Sequence, residues 1–61
     1  MSNRYGSIAS IMAMLDARHT ISDLNQALSD LKAMYEDRNI TEYQYKNIKT
    51  LLEDKIRDSG S

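Results

Sequence analysis

An all-α fold is predicted for this 61-residue chain, and three observations predict it. Proline, the strongest breaker of a helix, is absent, and the two glycines, Gly6 and Gly60, stand near the ends. The apolar side chains are Leu, Ile, Met, Ala and Tyr with no Val at all, so most of the chain keeps its rotamer freedom in a helix. Those apolar side chains recur at spacings of three and four, the period of a helix face. No stretch alternates cleanly enough for a strand, apart from a short run around Tyr43 and Tyr45.

The elements follow in order. Residues 1–6 are polar and expected to be disordered, residues 7–58 form a single helical domain, and residues 59–61 are a disordered tail. Ser7 is placed to cap a first helix over about residues 7–18, with Ile8, Ile11, Met12 and Leu15 on one face. Thr20 or Ser22 then suits the cap of a second helix, and Asp23 suits its first turn near the positive end of the dipole. Against a break stands an uninterrupted seam, Met14, Ala17, Ile21, Leu24, Leu28, Leu31 and Tyr35, which keeps a heptad-like spacing through Thr20. A break is favoured over one continuous helix, because two successive cap residues inside a helix offer the backbone competing hydrogen bonds.

The next boundary is sharper. Arg38 suits the negative C-terminal end of a helix, and Asn39 is expected to take the left-handed conformation that ends it. Thr41-x-x-Gln44 reads as a capping box with Glu42 in the first turn, and Ile40 is placed to pack on Tyr45 as a hydrophobic staple. Glu42 with Lys46 and Glu53 with Arg57 are expected ion pairs along the last helix. An antiparallel helical hairpin results, over about residues 22–38 and 41–57, because a short turn makes neighbouring helices antiparallel. Leu24, Leu28, Leu31 and Tyr35 would face Tyr45, Ile48, Leu52 and Ile56 across it.

The run from Leu31 through Arg38-Asn39-Ile40-Thr41-Glu42-Tyr43-Gln44-Tyr45 to Lys49, Leu51 and Leu52 resembles the short C-terminal domain, SHOCT. That family's pattern is a leucine-rich helix, then Gly-Ile-Thr-Glu-x-Glu-Phe, then a Lys and a Leu-Leu pair. Asn39 stands where the family has glycine and Gln44 where it has glutamate; both keep the same physics, a left-handed turn and a closed capping box. The resemblance spans residues 24–56 and implies an interaction or oligomerisation hairpin.

Several functions are excluded or disfavoured on composition. With no cysteine there is neither a disulfide nor a thiol nucleophile, and a cytoplasmic location is the expectation. No uncharged run approaches the length of about 20 apolar residues that spans a bilayer, and no clean apolar segment suggests a secretory signal. Eight Lys+Arg against nine Asp+Glu leave a net charge of -1, which argues against an electrostatic nucleic-acid footprint. His19, the lone histidine, even with Asp16 falls short of the three or four ligands a metal needs, so no metal or cofactor is expected. The acidic pairs Glu36-Asp37 and Glu53-Asp54 lack a pocket that would shift their ionisation, and the chain is read as a non-enzyme.

A helical core this small rarely supplies more than about 3–5 kcal/mol without a staple, and association is a usual remedy. The expected function is therefore a non-catalytic protein–protein interaction module, self-associating as a dimeric bundle or binding a larger protein and modulating or inhibiting it. The candidate contact residues are Ile8, Ile11, Met12 and Leu15, which with Met14 form a cluster wider than one stripe, and Tyr43, which points away from Tyr45. The alternative is a small DNA-binding regulator using helix 41–57, where Gln44, Lys46, Asn47 and Lys49 supply hydrogen-bond donors.

Overall fold

A computed structural model describes residues 5–60. Residues 1–4 and 61 lie outside the described residues, and with them most of the predicted disordered N-terminus and the last residue of the predicted tail. The described residues are all-helical: α1 spans Ile8–Asp16, α2 spans Ile21–Glu36 and α3 spans Glu42–Gly60. The break near Thr20 is present, and α3 runs through Ser59 into the stretch read as tail.

Each helix begins on a side chain that repays a backbone donor. Ser7 sits in extended backbone and its hydroxyl accepts from the Ser10 N–H at 3.2 Å. At α2 the Thr20 hydroxyl accepts from Asp23 N–H at 3.2 Å, and the Asp23 carboxylate accepts from Thr20 N–H at 3.0 Å. This reciprocal box decides against the continuous heptad seam, because it satisfies two donors that every helix start otherwise leaves open. Thr41 and Gln44 make the same exchange at α3, at 3.1 and 3.0 Å. Between α1 and α2, the Nδ1–H of His19 donates to the Ala17 carbonyl at 3.0 Å.

The end of α2 corrects one expectation. Arg38, not Asn39, takes the left-handed conformation, with φ 63. Asn39 N–H reaches back to the Met34 carbonyl and Arg38 N–H to the Tyr35 carbonyl, at 2.9 and 3.0 Å. This pair of bonds is a Schellman ending, and it puts the left-handed position one residue earlier than the Asn. An L-residue other than glycine pays about 1–2 kcal/mol for that conformation. Arg38→Gly is accordingly expected to raise stability by about 0.5–1 kcal/mol, net of glycine's greater freedom in the unfolded chain. Urea denaturation measures it, and a loss of stability would contradict the assignment of the turn.

The core lies where the three helices meet. Ile11, Leu24, Leu31 and Leu52 are fully buried, joined by Ala27, Met14, Met34 and Tyr5. Leu28, Ile40, Tyr45, Ile48 and Ile56 pack partly buried around them. Burying a Leu or Ile side chain contributes about 1.5–3 kcal/mol, so these few residues dominate the fold's stability. At the turn the rings of Tyr35 and Tyr45 stack with centroids 4.5 Å apart and planes within 5°. Contact between α2 and α3 is extensive, whereas α1 touches α2 lightly.

Two features of the core escaped the sequence reading. Tyr5, in the segment expected to be disordered, is only 9% exposed. Asp30, a charged residue, is only 3% exposed: its Oδ2 accepts from Tyr5 N–H at 2.9 Å and its Oδ1 from Gln26 Nε2 at 3.0 Å. A buried carboxylate is tolerated only with partners of this kind.

Candidate interaction surface

The candidate surface is built on α1. Between Ile8 and Leu15 this helix carries no charged side chain. Its inner face sends Ile11 and Met14 into the core. On its other side Ala9, Met12 and Ala13 are exposed, with Ile8 and Leu15 half-buried at the margins. An uncharged, largely apolar helix side is normally covered, and the outer side of α1 is not.

Of the five residues expected to contact a partner, the structure gathers Ile8, Ile11, Met12 and Leu15 on α1 and puts Tyr43 on α3. Ile11 is wholly inside the core and Leu15 packs against it. Met12 is 40% exposed and Tyr43 is 78% exposed. Ile21, at the start of α2, is 38% exposed, although the sequence places it in the heptad-like seam and not among the contact residues. The signal was present: once a cap falls at Thr20, Ile21 becomes the first helical residue and no longer belongs to a continuous seam. Ile8 also borders a shallow cleft with Met34, Asn39, Ile40 and Gln44, so the start of α1 lies beside the turn between α2 and α3.

The polar side chains of α3 are largely engaged with one another. Lys46 Nζ lies 2.9 Å from the Glu42 carboxylate. Its hydrogen bond, and then its charge, hold the Glu42 carboxyl below its ordinary range, while Glu42 raises Lys46 in return. Glu42 therefore favours the folded state above its unfolded pKa, and that support fades as acid protonates it. Both side chains are well exposed, so the effect is small. Arg57 pairs with Asp54 rather than with the expected Glu53. Lys49 Nζ sits 5.7 Å from the centre of the Tyr45 ring, and Asn47 Nδ2 donates to the Tyr43 carbonyl at 2.8 Å. Gln44 Oε1 is held by the cap.

No helix among the described residues is long and apolar enough to cross a membrane. The chain matches no protein-family model, no curated protein and no solved structure.

Proposed function

We propose that this chain is a small, non-catalytic, cytoplasmic interaction module. It self-associates, or docks on a larger protein and modulates it by occlusion. The observation that carries this reading is the outer side of α1, where Ala9, Met12 and Ala13 face solvent with no charge from Ile8 to Leu15. Covering that side would remove apolar surface from water, which stabilises an assembly by about 25 cal/mol per Å². The α2–α3 pair, read as an antiparallel SHOCT-like hairpin, provides the support, and Tyr43 offers a rigid aromatic anchor of the type that dominates many interfaces. A dimeric bundle is the simplest such assembly.

Sedimentation over a wide concentration range tests self-association, and capture with the full chain followed by mass spectrometry tests a larger partner. Met12→Glu and Tyr43→Ala should leave the fold intact while weakening association roughly tenfold or more, the effect of removing an interface anchor. A monomer at every concentration that captures nothing overturns the proposal. Binding to duplex DNA that falls steeply with added salt would replace it with the nucleic-acid reading. That reading has less support, because Lys46, Lys49, Asn47 and Gln44 already hold partners within the chain.

A further inference from the structure

We propose that α1 is a hinged lid, closed over the α2–α3 core by a clasp between Tyr5 and Asp30, and that it opens as a unit while α2 and α3 stay packed. Three observations converge on this. The lid is lightly held: α1 inserts two buried side chains, Ile11 and Met14, and its contact with α2 is slight beside the contact of α2 with α3. A hinge is present: the stretch from Ala17 to Thr20 is non-helical, with extended backbone at both of those residues. A latch is present at the far end of α1: Tyr5 N–H bonds to the buried Asp30 carboxylate at 2.9 Å, and Tyr5 itself is buried in the core.

The latch and the hinge share a residue. Tyr5 Oη lies 3.5 Å from Asp23 Oδ1, while Asp23 Oδ2 accepts from Thr20 N–H at the hinge. Asp23 and Asp30 are two helical turns apart on α2, so Tyr5 spans the length over which α1 must dock. Gln26, between them, holds the second oxygen of Asp30 and keeps the carboxylate aimed at Tyr5. Closing the lid thus joins the long-range hydrogen bonds of Tyr5 to Asp30 and Asp23 to the burial of Tyr5, Ile11 and Met14. Segments with few buried contacts open below the free energy of global unfolding, and a polar contact at their edge sets how often they do so.

Native-state hydrogen exchange on the full chain tests the lid. The amides of Met12 to Asp16, within α1, should exchange by a separate opening, faster than those in the middle of α2 and α3. Asp30→Ala removes both acceptor oxygens and leaves the Tyr5 N–H without its partner, and it should speed α1 exchange roughly tenfold while leaving mid-α3 unchanged. Tyr5→Ala should act on the same amides. Equal protection across the three helices, or a variant that speeds α1 and α3 by one common factor, overturns the proposal. This test is independent of any binding partner.

Discussion

Leu24→Ala is expected to leave the chain largely unfolded at 25 °C. Leu24 is wholly buried on the first turn of α2, where α1, α2 and α3 contribute Ile11, Leu31 and Leu52 to one cluster. Truncating such a leucine removes its transfer free energy and leaves a cavity, a loss of about 2–5 kcal/mol. A core of this size supplies about 3–5 kcal/mol, so little or nothing would remain. Far-ultraviolet circular dichroism should show the helical signal collapse, and the residual signal should depend on protein concentration if association supports the fold. A cooperative transition shifted by less than about 1 kcal/mol would mean that the side chain is not sealed from solvent as described.

Ile11→Ala should have the next largest effect, and it separates two roles that the sequence alone merges. As a core residue on the lightly held α1, Ile11 should cost about 2 kcal/mol when truncated, the low end for such a side chain, lowering the melting temperature by roughly 10 °C. Met12→Glu, one residue along, lies on the exposed side and should change stability by no more than about 0.5 kcal/mol. Its effect should appear in association instead. The opposite ranking would place Met12 inside and Ile11 outside, and would move the proposed surface to the other face of α1.

The parts of this fold legible in the sequence are those written within four residues. Ser7, Thr20 and Thr41 each announce a helix start by a hydroxyl facing a donor one turn on, and the spacing of Leu24, Leu31 and Leu52 marks which sides turn inward. The pairing of Thr20 with Asp23 is half visible: the sequence puts Asp23 in the first turn, and its return bond to Thr20 N–H shows that a short carboxylate closes the box as glutamate would. At the α2 end, Arg38 and Asn39 compete for one left-handed position. The Schellman bonds from the Asn39 and Arg38 N–H groups to the Met34 and Tyr35 carbonyls settle it by counting turns, against the residue preference. Arg57 had two acids within reach, and the closer turn prevailed.

Tyr5 and Asp30 were not legible for a different reason. Their bond joins residues 25 apart, and no local pattern marks Tyr5. Asp30 falls between Ala27 and Met34 on the buried side of α2, so the hint was an acid interrupting an apolar flank. Reading that hint as a buried carboxylate required knowing which N–H it would meet. The contact surface stands between these cases. The apolar excess on α1 is visible in composition, but the assignment of Ile11 to the inside and Met12 to the outside depends on the angle at which α1 docks.

The uncharged side of α1 also governs how this protein behaves in bulk solution. Colloidal repulsion between copies grows with net charge, and here that charge is -1 with an isoelectric point near 5.6. On mild acidification even this weak repulsion vanishes, and bare methionine and alanine side chains then meet with nothing to keep them apart. A solubility minimum in that range follows, and raising the ionic strength does not relieve it, since the attraction at fault is not ionic.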